Sequence, residues 1–207
     1  MTDPSESFSI SIKSIIMPFF AQHIRDAQTH LKRKDPVMRS LIRDIGPFTL
    51  KTQKNYFQLL IRSIISQQIS TAAAATIIGR LTERVGNPIL PQGMLVLDVD
   101  ELRSLGVSQQ KAQYCIDLTT KVNGGQVQLS SFGRRSDEEI IAELTQVKGI
   151  GVWTAQMFLI FGLGRLDVMP ANDLGIRNAI LKAYSLEELP VEKEIIKISE
   201  PWRPYAS

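Results

Sequence analysis

Cysteine is nearly absent from this sequence, and its scarcity excludes several kinds of site. Cys115 is the single cysteine among 207 residues, so the chain can form no internal disulfide, four-thiolate iron–sulfur cluster or structural zinc site. Its place in an amphipathic helical stretch predicts a buried, inert thiol. The two histidines, His23 and His30, lack partners at metal-ligand spacing and are assigned to the surface or the core.

Long hydrophobic runs and a strong excess of one charge are also lacking. No window approaches the ~20 uninterrupted apolar residues of a membrane span, and the first seven residues lack the basic region of a secretory signal. The 24 lysines and arginines barely outnumber the 21 aspartates and glutamates, which leaves a formal charge of +3. This balance permits a nucleic-acid partner without requiring one. We expect an intracellular protein of one domain or two lobes, without a membrane partner.

Strand patterns are scarce, whereas helical patterns follow one another along the chain. Apolar residues recur at spacings of three and four in one stripe, formed by Phe57, Leu60, Ile61, Ile64 and Ile65. Helix start signals follow at Ser70, at Asp98 with Glu101, at Ser108 and at Ser136 with Glu139. The only alternating stretch, residues 126–129, is too short to build a sheet. The sequence therefore predicts an all-α protein.

A glycine-spaced turn between two apolar helical stretches is the most informative motif. It runs from Leu144 through Gly149 and Gly151 to Ala155, a helix-hairpin-helix signature. Both glycines permit positive φ and the close approach of another backbone, so the hairpin amides can point at a phosphate oxygen. Such contacts hold DNA without reading its sequence. The alternative is an ordinary helical hairpin closed by glycines.

The residues that follow the hairpin resemble the helix-hairpin-helix DNA glycosylase superfamily. The similar stretch runs from Phe158 to Arg177 and joins three further segments: Ile64 to Ser70, Leu105 to Ala112 and Trp202 to Tyr205. The branch that these motifs resemble is the bacterial 3-methyladenine DNA glycosylase II type with its fungal relatives. In that family the pattern continues into a last helix rich in aromatic residues, whereas this sequence ends at Ser207.

The resemblance implies an all-α fold with two helical lobes around a DNA-binding cleft. Residues 50–165, including the hairpin, would form the central lobe, and residues 9–49 with 166–207 the second lobe. Residues 1–8 are expected to be a disordered tail. The basic run Lys32 to Lys34 is expected on a solvated helix face.

The same resemblance places the catalytic carboxylate at Asp173. Breaking an N-glycosidic bond leaves positive charge on the deoxyribose, and a carboxylate near C1′ stabilises that charge and can position or deprotonate the attacking water. The start of a helix would help to keep Asp173 ionised. A simple N-cap is the structural alternative, and the two roles can coexist.

Trp153 stands where lyase-competent members of the superfamily carry a Schiff-base lysine. The resemblance therefore implies a monofunctional enzyme that leaves an abasic site. An indole at this position can form a wall of the substrate pocket, because alkylated purines are electron-poor and stack well on aromatic faces. Met157, one turn further on, is expected in the same pocket. Core packing is the alternative for both residues.

Further DNA contacts are implied along two loops. Gln68 holds the position from which family members push a side chain into the duplex to fill the gap left by the extruded nucleotide. Gln67 is assigned to the same surface, with an interhelical hydrogen bond as its alternative. In the hairpin, the DNA-binding residues are expected to be Lys148, Gly149, Gly151 and Thr154.

A monovalent cation completes the site that the resemblance implies. The backbone carbonyls of Thr145, Val147 and Gly149 would ligate Na⁺ or K⁺ and bridge the hairpin to a DNA phosphate. The alternative is a hairpin closed by its own hydrogen bonds, and no other cofactor is required.

These features predict a DNA glycosylase of base excision repair. It would act as a monomer on double-stranded DNA, flip out an N-alkylated purine and hydrolyse its glycosidic bond. The expected location is the cytoplasm or nucleoid of a bacterium or the nucleus of a eukaryote. The alternative is a non-enzymatic protein of the same fold that recognises damaged DNA, and the presence of Asp173 favours the enzyme.

Overall fold

Helices make up the regular structure of this protein in a computed structural model that describes residues 22–46, 48, 50 and 52–207. These residues contain no β-strand, which confirms the predicted all-α class. None of the helices in the same ranges is long and apolar enough to cross a membrane. The expected disordered tail, residues 1–8, lies outside the described residues.

The helices are short and are numbered in chain order. The first is α1 (residues 22–34), followed by α2 (Pro36–Ile45), α3 (Tyr56–Ser66), α4 (Thr71–Val85), α5 (Pro91–Met94), α6 (Val99–Ser104), α7 (Gln109–Asn123), α8 (Asp137–Leu144), α9 (Val152–Phe158), α10 (Leu174–Ala183) and α11 (Glu192–Ser199). Leu129–Arg134 and Glu200–Trp202 form 3₁₀ turns, and Leu159–Leu163 is a π-helical turn.

Side-chain caps explain why α4, α6, α7 and α8 begin where they do, at Ser70, Asp98, Ser108 and Ser136. The hydroxyl of Ser70 accepts a hydrogen bond from the amide of Ala73 at 3.2 Å and starts α4. Asp98 with Glu101, and Ser136 with Glu139, form reciprocal capping boxes at α6 and α8. The predicted start signals are therefore confirmed as N-caps.

The chain divides into two compact units, one of which is Leu50–Pro170. Its core contains the predicted stripe of α3, whose five members are all at most 4% exposed. Cys115 lies in this core, so its predicted burial is confirmed, and burial raises the pKa of its thiol to about 12. This unit carries both the α3–α4 turn, residues 67–69, and the hairpin loop, residues 145–151.

The other unit joins the chain before Leu50 to Ala171–Ser207. Asp35, only 7% exposed, is its polar centre: its Oδ2 accepts hydrogen bonds from Nε1 of Trp202 at 2.8 Å and from the hydroxyl of Tyr184. Its Oδ1 caps α2 by accepting the Val37 amide at 2.8 Å. The tryptophan of the Trp-Arg-Pro-Tyr segment thus ties the end of the chain to the start of α2.

Helix α1 of this unit carries His30 and the basic run Lys32 to Lys34. His30 stacks edge-on against Tyr205 with ring centroids 5.4 Å apart, and its Nε2 lies 3.1 Å from the carbonyl of Pro201. Lys32, Arg33 and Lys34 end α1 with exposed side chains, as predicted for a solvated face.

Candidate functional site

The α3–α4 turn presents Gln68 to solvent in an unusual backbone conformation. Gln68 has φ of +55°, in the left-handed region that residues with a Cβ rarely adopt, and its side chain is exposed. Gln67 points the other way: its Nε2 donates to the carbonyl of Gly149 at 2.9 Å. Gln67 therefore makes a long-range hydrogen bond between the turn and the hairpin loop, which is the alternative considered for it.

Gly149 is the position in the hairpin loop where only glycine fits. Its φ is +80°, and a Cβ added there would lie 2.0 Å from Cδ2 of the Tyr114 ring. The predicted positive φ is confirmed, and the close approach comes from the α7 side chain Tyr114. The hydroxyl of that tyrosine accepts a hydrogen bond from Nε2 of Gln110 at 2.6 Å.

Gly151 does not adopt the positive φ that the sequence motif predicted. Its φ of −92° and ψ of 174° are extended, and a Cβ there would meet nothing within 4 Å. The reason is that Gly151 is the N-cap of α9, and N-cap residues adopt extended backbone that any residue can reach. The two glycines of the motif therefore have different structural roles.

Asp117 on α7 holds the middle of the hairpin loop. Its Oδ2 accepts the backbone amide of Lys148 at 2.8 Å and the ammonium of Lys121 at 2.6 Å. Burial raises the pKa of Asp117, but these hydrogen bonds outweigh burial and hold the pKa below its usual value. The Lys148 amide is thus bound within the protein, while its side chain is exposed at the loop surface.

The carbonyls expected to hold a cation belong to this same loop. The Val147 carbonyl accepts the Ile150 amide at 3.1 Å, and the Gly149 carbonyl accepts Gln67. A carbonyl oxygen has two lone pairs, so each can still face an ion, and neutral oxygen donors suit Na⁺ or K⁺. The type of donor therefore suits the implied ion, while the bond between Val147 and Ile150 belongs to the alternative, a hairpin closed by its own hydrogen bonds, and the ion stays a prediction. Among the described residues, no group of His, Cys, Asp and Glu could hold a metal.

A cavity of about 310 Å³ lies beside α9. It is lined by Leu59, Leu60, Arg62, Ser63, Ser66, Trp153, Thr154, Met157, Phe158 and Phe161. Trp153 is 44% exposed, so it is not the buried core tryptophan of the alternative interpretation. Trp153, Met157 and Phe161 follow at intervals of four residues and share one face, which brings the two predicted pocket residues to one cavity.

The sequence analysis placed only Trp153 and Met157 in the pocket, and the lining residues that it missed include Arg62, Ser63, Ser66 and Phe161. Arg62, Ser63 and Ser66 are polar positions of α3 beside its buried stripe, a signal present in the sequence. Phe161 continues the four-residue spacing after Met157. It lies in the π-helical turn, whose Phe161 carbonyl accepts the amide of Gln53 at 2.9 Å.

Thr154 does not lie on the exposed surface where DNA binding was expected. Its side chain is 5% exposed and lines the cavity. The helical period explains the difference, because the third residue of α9 turns inward with Ala155 and Phe158. An exposed contact between the Thr154 side chain and DNA is therefore not supported by this geometry.

Asp173 begins α10 as its N-cap. Its Oδ1 accepts the amide of Ile176 at 2.8 Å, and the side chain is half-buried. Gly175 matters to this carboxylate, because a Cβ at that position would lie 2.9 Å from Oδ1 of Asp173. The capping role is therefore observed, and it fixes the carboxylate at the positive end of a helix.

Comparison with known proteins connects these features to a family. A model of the HhH-GPD superfamily of base excision DNA repair proteins matches residues 61–204. DNA-3-methyladenine glycosylase 1 of Schizosaccharomyces pombe is 34% identical over 185 residues, which cover 86% of this chain and 81% of the relative.

Two solved structures are similar over most of the fold. The Schizosaccharomyces pombe 3-methyladenine DNA glycosylase in complex with abasic DNA has a TM-score of 0.76 and 33% identity, covering 87% of this chain and 90% of its own. A DNA-3-methyladenine glycosidase from Bacillus halodurans has a TM-score of 0.77 and 32% identity, covering 86% and 83%. Since the family model matches well over half of the residues, this chain belongs to the HhH-GPD superfamily of base excision DNA repair proteins.

Proposed function

We propose that this protein is a monofunctional DNA glycosylase of the 3-methyladenine DNA glycosylase II type. It flips an N-alkylated purine out of duplex DNA, hydrolyses the N-glycosidic bond and leaves an abasic site. The observation that carries the proposal is the cavity beside α9, whose aromatic wall contains Trp153 and contains no lysine. Relatives at about a third identity that carry the name of this activity support it.

The cavity suits a flat, apolar and electron-poor ligand. Trp153 and Phe161 offer aromatic faces on which an alkylated purine stacks, and Met157 packs against its edge. Ser63, Ser66 and Thr154 supply hydroxyl groups that can orient such a ligand, and Arg62 also lines the cavity. A base extruded from the duplex gains these contacts in exchange for its lost stacking.

Asp173 supplies the chemistry at the sugar. As the base leaves, positive charge develops at C1′, and an ionised carboxylate stabilises it and orients the attacking water. The hydrogen bond from the Ile176 amide fixes the carboxylate before the substrate arrives. Such preorganisation lowers the barrier because no reorganisation is needed during the reaction.

The hairpin loop and the α3–α4 turn hold the DNA. Gln68 fills the gap in the duplex, and the exposed Lys148 side chain pairs with the phosphate backbone. The carbonyls of Thr145, Val147 and Gly149 would hold Na⁺ or K⁺, which supplies positive charge toward a phosphate when bound. The protein acts as a monomer on double-stranded DNA.

Release of free bases tests this function directly. The protein is incubated with methylated duplex DNA, and the released bases are identified by chromatography while heat or alkali cleaves the new abasic sites. We expect 3-methyladenine among the products and cleavage that depends on the protein. Binding to damaged DNA without release of any base would contradict the enzyme and identify the non-enzymatic recognition protein.

A further inference from the structure

Lys111 on α7 makes contacts that the proposed function does not yet explain. Its Nζ donates to the carbonyl of Ile65 at 2.8 Å and to the carbonyl of Gln67. Both acceptors lie at the C-terminal end of α3 and its adjoining turn, more than 40 positions earlier in the chain. A cation at the end of a helix satisfies carbonyls that have no partner within the helix.

Both acceptors come just before Gln68 in the chain, and the backbone of Gln68 needs support from other residues. Its left-handed φ of +55° is unfavourable for a residue with a side chain. The Gln68 side chain makes no hydrogen bond to any residue that the structure describes, so it does not hold its own backbone in place. Such a conformation persists only where the surrounding structure over-determines it.

Two side-chain hydrogen bonds between the turn and other parts of the fold provide that support. Lys111 holds the carbonyl that immediately precedes Gln68, and Gln67 anchors the turn to the carbonyl of Gly149. Lys111 is half-buried, and burial lowers the pKa of its ammonium group. A partly desolvated charged donor forms stronger hydrogen bonds than one in open water.

We infer that Lys111 is a positioning residue for base flipping, which holds Gln68 in the conformation that fills the gap in the duplex. This inference rests on the proposed function. Lys111 acts through the backbone of the turn and needs no contact with DNA. Replacing Lys111 should therefore lower the affinity for duplex with a gap and the rate of base release. The affinity for undamaged duplex, which depends on phosphate contacts, should not change.

The test compares Lys111→Met with Lys111→Arg, which keeps the charge and the donors. Lys193→Met serves as a matched control, because Lys193 is an exposed lysine of α11. For Lys111→Met we expect about tenfold weaker binding to a duplex with a tetrahydrofuran abasic site and about tenfold slower single-turnover base release. Binding to undamaged duplex at matched salt should stay unchanged, and Lys111→Arg should recover most of the loss.

A double-mutant cycle with Gln68→Ala separates positioning from a general structural role. If Lys111 acts through Gln68, Lys111→Met costs little further when Gln68 is already alanine. An equal loss in both backgrounds, or an equal loss on undamaged duplex, overturns the inference. Circular dichroism and thermal melting establish folding, and Lys111→Gln replaces the methionine variant if that variant does not fold.

The two proposals fail in different ways. If the wild-type protein releases no base from any alkylated substrate, the proposed function is wrong. The abasic-site binding measurements still decide the role of Lys111 in that case, because they require no turnover.

Discussion

At the scale of single residues, Asp173 combines a structural task with the proposed chemical one. The side chain that caps α10 is also the carboxylate assigned to the reaction. Replacing it by alanine would remove the helix cap and the charge together. Asparagine separates them, because it caps helices about as well as aspartate while carrying no charge.

We predict that Asp173→Asn loses at least about 100-fold in single-turnover base release, because it removes charge stabilisation made only in the transition state. Affinity for lesion-containing duplex should remain close to that of the wild type. Rapid-quench kinetics on a defined lesion, with a parallel binding titration, measures both quantities. A variant within about threefold of the wild-type rate would contradict the role of Asp173.

Trp153 leads to a second prediction at this scale. Because an indole cannot form an imine with the abasic sugar, we expect no lyase activity. Borohydride added during turnover should trap no covalent protein–DNA adduct, while a lyase-competent glycosylase in the same assay is trapped. Efficient trapping would mean that a lysine elsewhere serves as a nucleophile and that the protein is not monofunctional.

At the scale of elements, α7 contacts both of the loops that are proposed to hold the DNA. Lys111 contacts the α3–α4 turn, Tyr114 packs against Gly149, and Asp117 binds the Lys148 amide. These three side chains recur at intervals of three residues, so they lie close to one face of the helix. The geometry of the hairpin loop thus depends on a helix outside the motif.

The two glycines of the hairpin loop should respond differently to alanine. Gly149→Ala meets the Tyr114 ring and a positive φ, so we expect it to lower the free energy of unfolding by about 1–3 kcal/mol. Gly151→Ala enters open space at extended backbone, so it should change stability by less than about 0.5 kcal/mol. Urea denaturation of the two single variants measures the difference.

A double variant tests the reason for the difference. The variant combines Gly149→Ala with Tyr114→Ala, which removes the ring. Part of the loss in the free energy of unfolding caused by Gly149→Ala should then disappear, because only the backbone strain at the positive φ remains. Equal stabilities for Gly149→Ala and Gly151→Ala would show that the Tyr114 contact is unimportant. DNA binding should survive Gly151→Ala, because the extended backbone at this N-cap does not require glycine.

At the scale of the whole molecule, stability in acid should depend in part on the buried carboxylate of Asp35. Burial raises the pKa of Asp35, but hydrogen bonds from Trp202, Tyr184 and the amides of Met38 and Val37 outweigh burial and hold the pKa below 3.8. A carboxyl whose pKa is lowered by folding stabilises the native state above its unfolded pKa. That contribution disappears as the pH falls through the folded pKa.

We predict that Asp35→Asn lowers the free energy of unfolding by about 2 kcal/mol at neutral pH, since hydrogen bonds to a charged acceptor are lost. The gap between variant and wild type should narrow as the pH falls below 3.8. Urea titrations at several pH values measure it, with the exposed Asp26→Asn as the control. A gap that is independent of pH would contradict the role of the Asp35 charge.

The sequence alone determined the local structure and much of the site. Caps at Ser70, Asp98 and Ser136 predicted helix starts because a cap bonds an amide only two or three residues away. The spacing of four between Trp153 and Met157 placed them on one helix face for a similarly local reason. Helix caps and the helical period depend only on residues that are close together in the sequence, so both could be inferred without coordinates.

Only the tertiary structure showed which residues connect the α3–α4 turn, α7 and the hairpin loop. Gln67 reaches Gly149, Lys111 reaches the α3–α4 turn, and Tyr114 occupies the space beside Gly149. No pattern in the sequence records these pairs, because they join residues 35 to 82 positions apart through the packing of α3 and α7 with the hairpin loop. The motif therefore could not reveal that Gly149 needs its glycine while Gly151 is an ordinary helix cap, since that difference depends on the neighbours that folding brings to each.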